Sequence, residues 1–142
     1  MLITLYRAGY RCGKLKEKEF QAGQIVTFLK NNEISICNDK QFPIGFLSCD
    51  SSNMTQSNSN VSFEIGPGQF RTDVFEPSVY KINDYLYCSK NGKITNEKKY
   101  KGNIILGIVN FVGEANAAYD YEPNSRMVKV IGFEQFFARN IE

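Results

Sequence analysis

The stretch Gly23–Asn38 reads GQIVTFLKNNEISICN, two apolar segments separated by two asparagines. Both segments are rich in the β-branched and aromatic residues that favour strands. Asparagine tolerates the left-handed backbone conformation that tight hairpin turns require. The stretch therefore predicts a β-hairpin with its turn at Asn31-Asn32.

The register of this hairpin follows from the length of its turn. A two-residue turn places Lys30 opposite Glu33 and Leu29 opposite Ile34. An opposite-charge pair and an apolar pair both stabilise antiparallel strands, so we expect this register.

Similar strand signals recur along the whole chain. Turn or loop signals separate them at Lys14–Glu19, at Gly66-Pro67-Gly68 and at Asn91-Gly92. No alternation of strand and helix is present, and only Glu134–Arg139 is predicted as a short helix. The pattern predicts an all-β fold, a single small antiparallel β-barrel or sandwich. The predicted strands are Leu2–Tyr6, Gly23–Lys30, Glu33–Asn38, Ile44–Cys49, Val61–Ile65, Gln69–Phe75, Tyr85–Ser89, Lys93–Thr95, Asn103–Val112 and Met127–Phe133.

The length of 142 residues fits one domain spanning residues 1–142. The segment Asp50–Asn60, DSSNMTQSNSN, is polar and low in complexity. Such a segment contributes little to a core, so we expect a long exposed loop near residues 50–60. Phe133, Phe136 and Phe137 crowd residues 133–142, which predicts either core packing or a C-terminal segment that docks on a neighbouring subunit.

The charge of the chain is nearly balanced, with a formal net charge of +2. A charge this small gives little long-range attraction for nucleic acid or an anionic membrane. No apolar run is long enough to span a bilayer, and Arg7 and Arg11 interrupt the apolar start, so we expect no membrane segment and no signal peptide. The dense basic spot at Lys98, Lys99 and Lys101 predicts a solvated loop, with a local anion or partner contact as the alternative.

The cysteines lie far apart, at Cys12, Cys37, Cys49 and Cys88, and form no CxxC pair. Disulfide scaffolds are shorter and denser in cysteine, and a zinc site usually needs paired ligands close in sequence. We therefore expect free thiols in a reducing cytoplasm, no metal site and no cofactor.

Histidine is absent from the chain, which excludes Ser-His-Asp and Cys-His catalytic arrangements. Asp73, Glu76 and Asp84 form the nearest carboxylate cluster, but on a presumed turn, where acids are usually solvated. Glu64 and Asp73 would flank the predicted turn at Gly66–Gly68, the one arrangement that fits a glycosidase pair. We expect that pair to be solvated as well, so the sequence predicts no catalytic, cofactor-binding or metal-binding residue and no enzyme.

Tyr85 and Tyr87 lie two positions apart on a predicted strand and would share one of its faces. Exposed aromatic pairs of this kind stack nucleic-acid bases. Because no basic groove surrounds them, core or interface packing is favoured, and a nucleic-acid-binding barrel is kept as an alternative.

The segment Phe70–Val112 resembles a pattern in small bacteriophage head-decoration and related virion proteins. Upstream, Pro43–Leu47 is similar to a strand of the same family. The chain departs from the pattern at Asn83, where a glycine is usual, and in the polar insertion Asp50–Asn60. The matching residues are Thr72, Asp73, Phe75, Tyr80, Asp84, Leu86, Tyr87, Asn91, Gly92, Lys93, Thr95, Gly107, Ile108 and Val109.

The resemblance implies a virion structural protein, most concretely a capsid decoration or cement protein. Such a protein binds the lattice of the major capsid protein and stabilises the head, commonly as a symmetric homo-oligomer. It would be assembled in the cytoplasm of the host bacterium and reside in the virion. A neck, tail or head-fibre component is the alternative within the same particle.

Overall fold

A computed structural model describes residues 1–53, 60–81, 84–97 and 126–130. Within these ranges the chain forms eight strands and one 3-10 turn at Ser51–Asn53, with no α-helix. The prediction of an all-β fold is confirmed. The strands are β1 (Leu2–Leu15), β2 (Ile25–Phe28), β3 (Glu33–Ile36), β4 (Gly45–Leu47), β5 (Val61–Thr72), β6 (Tyr87–Cys88), β7 (Ile94–Thr95) and β8 (Arg126–Val130).

Five strands close into a barrel in the order β1-β3-β2-β4-β5, because β5 also pairs with β1. Because the ring of strands is closed, the paired parts of these strands have no open sheet edge. Four of the five pairings are antiparallel, whereas β1 and β3 run parallel through Lys14↔Glu33 and Leu15↔Ile34. The predicted barrel is therefore confirmed, and the expectation of purely antiparallel pairing is corrected at this seam.

The predicted turn at Gly66-Pro67-Gly68 is wrong, because β5 continues through it from Val61 to Thr72. The register with β1 shifts between Arg7↔Gly68 and Gly9↔Ile65, so one β1 residue faces both Gly66 and Pro67. This is a β-bulge, a position where a strand tolerates a proline that has no N–H to donate. Gly-Pro-Gly thus marks an irregular point within the strand.

The first strand is much longer than predicted. We expected it to end at Tyr6 and a charged loop to cover Lys14–Glu19, but β1 runs to Leu15. Its second half pairs with β5 as far as Gly13↔Val61. Pairing with a distant strand outweighs the weak strand propensity of the charged residues in this half.

The hairpin at Asn31-Asn32 is confirmed, but its predicted register is wrong by one residue. Phe28, and not Leu29, lies opposite Ile34. The Leu29 N–H donates to the Glu33 carbonyl at 2.8 Å, so the connection contains three residues rather than two. Both asparagines have positive φ, 59° and 61°, as the sequence argument required.

One buried apolar cluster, the barrel cluster, receives residues from all five barrel strands, as expected of a small barrel filled by its own side chains. It draws Leu15 from β1, Val26 from β2 and Leu47 from β4. Its fully buried members stabilise the closed ring through removal of apolar surface from water. The buried members are Val26, Ile34, Ile44, Leu47, Val61 and Phe63, and Leu15, Phe20, Ile36 and Ile65 pack against them.

A second cluster, the flank cluster, joins the barrel to the segment that follows β5. Phe46 and Phe70 meet edge to face in it, with ring centroids 5.2 Å apart. This is a preferred aromatic geometry and adds to the burial of both rings. The cluster contains Ile25, Cys37, Phe46, Phe70, Tyr80, Leu86, Cys88 and Ile94, with Leu2 and Phe75 packed against it.

The strand predicted from Met127 is confirmed as β8, which pairs antiparallel with β5 from Gly68↔Val130 to Thr72↔Arg126. The predicted strand Asn103–Val112, the predicted helix Glu134–Arg139 and the three C-terminal phenylalanines lie outside the described residues. So do positions 54–59 of the polar loop.

The start of the polar loop is tied to the segment before β2. The Asp50 carboxylate accepts from the Ala22 N–H at 2.7 Å, and the Ser51 N–H donates to the Phe20 carbonyl at 2.8 Å. Asp50 and Ser51 are half-buried as a result. The expectation of full exposure is therefore wrong at these two positions.

Candidate binding surface

The strands β6 and β7 form a small second sheet joined by a tight hairpin. The Ser89 N–H donates to the Lys93 carbonyl at 2.9 Å, and Gly92 has a φ of 70°. A three-residue connection that ends in a left-handed glycine is a common hairpin, and it requires a residue without a Cβ penalty. The hairpin predicted at Asn91-Gly92 is confirmed.

The tip of this hairpin is pressed against the barrel. The Gly92 carbonyl accepts a hydrogen bond from the Ile25 N–H at 2.8 Å. A Cβ atom at Gly92 would clash with Cγ2 of Ile36, since it would lie closer than real contacts allow. Glycine is therefore required here for both its conformation and its lack of a side chain.

Ser89 connects the hairpin to the segment after β5. Its buried hydroxyl donates to Glu76 Oε1 at 2.8 Å and accepts from the N–H groups of Asn91 and Lys93, each at 3.3 Å. The Tyr80 hydroxyl donates to the Glu76 carbonyl at 2.5 Å and also lies 3.2 Å from the carbonyl of Ile94. These bonds hold the segment after β5 against β7.

Asn96 fixes the loop between β5 and β6 at two points. Its side-chain amide donates to the Val79 carbonyl at 2.8 Å and to the Asp84 carboxylate at 3.2 Å. The same carboxylate accepts from the Lys81 N–H at 2.8 Å, and the Ser78 hydroxyl donates to the Asn96 side-chain carbonyl at 2.8 Å. One asparagine thus connects two positions within the loop, Val79 and Asp84.

Two large apolar side chains project from this fixed loop, and we call them the flank surface: Val79, 79% exposed, and Tyr85, 60% exposed. Asn96 bonds to the carbonyl of Val79 itself and to the side chain of Asp84, the residue before Tyr85. An exposed apolar side chain alone is ordinary, but two on one tethered loop are a candidate contact surface.

The prediction that Tyr85 and Tyr87 share a strand face is wrong. Strand β6 begins only at Tyr87, so the alternation rule does not extend to Tyr85. Tyr87 is 5% exposed, and burial together with the nearby Tyr85 raises its pKa. Tyr85 and Tyr87 therefore do not form an exposed pair of rings on which bases could stack.

The three carboxylates singled out from the sequence have separate structural partners. Asp73 forms an ion pair with the N-terminal ammonium at 3.0 Å, Glu76 accepts from Ser89, and Asp84 accepts from Lys81 and Asn96. Among the described residues, no group of three or more acids or cysteines could hold a metal ion.

Glu64 and Asp73 do not flank a hairpin, because β5 runs on without a turn. Glu64 is buried within the strand, and Asp73 follows its last residue. At ~3.3 Å per residue, the chain path between them is far longer than the ~5–9 Å separation of a glycosidase pair. The prediction that Glu64 and Asp73 flank a turn, on which the glycosidase alternative depended, is therefore wrong.

All four cysteines lie in the described ranges and none is in a disulfide: Cys12 is exposed, Cys49 is half-buried, and Cys37 and Cys88 are buried. Burial raises the pKa of the Cys49 thiol, with a further contribution from the neighbouring Asp50. Burial and contact with Cys37 raise the pKa of the Cys88 thiol well above 9.0. The basic spot at Lys98, Lys99 and Lys101 lies outside the described residues.

A shallow cleft of about 270 Å³ opens between the hairpin and the segment after β5. Small-molecule sites are typically lined mainly by apolar side chains, and this cleft has a largely polar lining. The lining residues are Glu76, Pro77, Ser89, Lys90, Asn91 and Glu97.

Residues of the phage-like pattern have structural roles in this region. Thr72 donates to the Met1 carbonyl at 2.6 Å, and Phe75 packs on Tyr80 with centroids 4.9 Å apart. Gly92 supplies the left-handed turn. Gly107, Ile108 and Val109 lie outside the described residues. The pattern therefore describes how the flank of the barrel is built.

Comparisons with protein-family models, curated proteins and solved structures found no match to this chain. The resemblance to phage head-decoration proteins therefore stays a prediction. Across the described ranges, no helix combines the length and the apolar character needed to cross a membrane.

The sequence did not single out Ser89, Asn96 or Val79. Serine, asparagine and valine are common in loops and strands, and nothing in their spacing shows a long-range partner. The Asn96 bonds join positions 17 and 12 residues away in the chain, which only the folded structure reveals.

Proposed function

We propose that this chain is a structural protein of a bacteriophage particle, a decoration protein that binds the lattice of the major capsid protein. The proposal begins from the resemblance of Phe70–Val112 to phage head-decoration proteins. It implies a binding role, which needs a rigid scaffold and an exposed contact surface.

The flank surface is the observation that carries the proposal. Val79 and Tyr85 are exposed on a loop that Asn96 bonds at two positions, Val79 and Asp84. A loop restrained by internal hydrogen bonds loses less conformational entropy on association than an unrestrained one. Tyrosine is also enriched at protein interfaces, where its ring and hydroxyl both contribute contacts.

The carboxylates of the same region support a binding role over a catalytic one. Asp73, Glu76 and Asp84 are engaged in bonds that stabilise the fold. A general acid or base needs to reach a substrate proton, and these groups are instead occupied with backbone, hydroxyl, amide and ammonium donors.

The test is quantitative mass spectrometry of purified particles produced by the genome that encodes this chain. A decoration protein would be present in a number comparable to the capsid lattice sites. A few copies per particle would support the neck, tail or head-fibre alternative. Absence of the chain from the particles would overturn both.

A nucleic-acid-binding barrel receives less support, because Tyr87 is buried and its ring is not available to stack a base beside Tyr85. We expect no measurable binding of single-stranded DNA or RNA at low salt. Binding that weakens steeply with added salt would favour this alternative over the decoration role.

A further inference from the structure

Two buried cysteines meet where the β6–β7 hairpin packs on the barrel. Cys37 follows the last residue of β3, and Cys88 is the last residue of β6. Both are 0% exposed and belong to the flank cluster. The Cys88 thiol donates to the Cys37 carbonyl at 3.6 Å, and the neighbouring Cys37 thiol contributes to the raised pKa of Cys88. Two positions 51 residues apart in the chain are thus joined by a side chain–backbone contact and share one buried cluster.

We propose that Cys37 and Cys88 form a reversible disulfide that fastens the hairpin to the barrel. The proposal does not rest on the capsid function. Cys12 and Cys49 are not part of it, since Cys12 is exposed and Cys49 is only half-buried.

The oxidant is a low-molecular-weight disulfide such as oxidised glutathione. One cysteine thiolate attacks the reagent, forms a mixed disulfide and releases one glutathione thiolate, which takes up a proton. The second cysteine thiolate then attacks the protein sulfur of the mixed disulfide and releases the second glutathione. The protein loses two protons and two electrons, and one glutathione disulfide is reduced to two thiols.

The structure makes this exchange slow in the closed state. Neither sulfur is accessible to the reagent, and burial favours the neutral thiol over the reactive thiolate at Cys88. Reaction therefore requires the hairpin to separate transiently from the barrel. The contacts that oppose separation include the hydrogen bond from Ile25 to Gly92 at 2.8 Å. Once formed, the disulfide closes a loop of about 51 residues and disfavours the open and unfolded states.

The experiment incubates the full chain with oxidised glutathione under native conditions, followed by alkylation, trypsin digestion and mass spectrometry. The four cysteines fall on different tryptic peptides, with Cys37 on residues 31–40 and Cys88 on residues 82–90. We expect these two peptides to be joined, and we expect the melting temperature to rise by roughly 5–10 °C. Dithiothreitol should reverse both effects.

Two variants make the result decisive. The double variant Cys12→Ser/Cys49→Ser keeps the buried pair and should show the full rise in melting temperature. Cys88→Ser, with Cys37→Ser as a second choice if it does not fold, should show none. Cys37 and Cys88 both remaining alkylatable after prolonged exposure to oxidised glutathione would overturn the proposal, as would a disulfide joining any other pair.

Discussion

The Ser89 hydroxyl donates a 2.8 Å hydrogen bond to the Glu76 carboxylate and connects the β6–β7 hairpin to the segment after β5. The same hydroxyl accepts from two N–H groups of the hairpin loop. Since Ser89 is only 3% exposed, water does not readily replace these partners.

Ser89→Ala should therefore lower the free energy of unfolding by about 1–3 kcal/mol, because it leaves a carboxylate and two N–H groups without their buried partner. Urea denaturation followed by far-UV circular dichroism measures this change. Lys90→Ala, at an exposed position of the same loop, is the matched control and should change the value by less than about 0.5 kcal/mol. Equal effects of the two substitutions would contradict the role of Ser89.

Gly92→Ala should be more damaging, with a loss of about 2–4 kcal/mol. The alanine would have to adopt a left-handed conformation, and its Cβ would clash with Ile36. Gly9→Ala is the control, because a Cβ there would meet Ile65 at an ordinary 3.4 Å. Thermal and urea unfolding of both variants check the difference, and a Gly92→Ala protein as stable as wild type would refute the docking of the hairpin tip.

Asn96→Ala should loosen the loop between β5 and β6 without unfolding the barrel. It removes the bonds to the Val79 carbonyl and the Asp84 carboxylate, which together contribute about 1–2 kcal/mol. Hydrogen exchange at the loop amides, including Lys81, should become faster while the exchange of β2 and β3 amides stays slow. Lys81→Ala keeps its backbone N–H bond to Asp84 and should leave exchange in the loop unchanged.

Alkaline pH should destabilise the protein through Cys88. Its pKa is raised in the folded state by burial and by Cys37, so the unfolded chain loses this proton first as the pH rises. The free energy of unfolding therefore keeps the full contribution of the Cys88 thiol below the pKa of this group in the unfolded chain, near 9.0. At higher pH the free energy of unfolding falls, by up to about 1.4 kcal/mol per pH unit. Cys88→Ala should reduce this slope in urea titrations between pH 8 and 10.5, whereas Cys12→Ala, at an exposed site, should not. The same slope in Cys88→Ala and wild type would contradict this assignment.

The sequence predicted the features that local chemistry decides. Asn31-Asn32 and Asn91-Gly92 predicted their hairpins, because left-handed turns need these residue types. The apolar segments predicted the positions of β2, β3, β4 and β7, each within a few residues of its observed bounds.

The errors arose where distant contacts decide the structure. Gly66-Pro67-Gly68 has the composition of a turn. However, β1 pairs with β5 on both sides of this segment, so Gly66 and Pro67 form a bulge within the strand. The hairpin register shifted because Leu29 pairs with Glu33, which left a third residue, Lys30, in the connection. Tyr87 is buried and its strand neighbour Cys88 packs in the flank cluster, contacts that the spacing of two tyrosines does not reveal. The Asn96 bonds and the Cys37–Cys88 contact depend in the same way on which segments meet in space.

We propose that Val79 and Tyr85 of the flank surface are the residues through which this chain binds a phage capsid. The double variant Val79→Asp/Tyr85→Asp should fold normally, because both side chains are exposed. Phe42→Asp is the control, as Phe42 is also exposed, at 53%, but lies outside the flank surface.

The most direct measurement is the binding of purified chain to particles that lack it, assayed by co-sedimentation. Wild type and Phe42→Asp should saturate the particles at a copy number matching the capsid lattice, and Val79→Asp/Tyr85→Asp should lose binding at least tenfold while keeping its melting temperature. Failure of the wild-type chain to bind such particles, or equal binding by the double variant, would contradict the account.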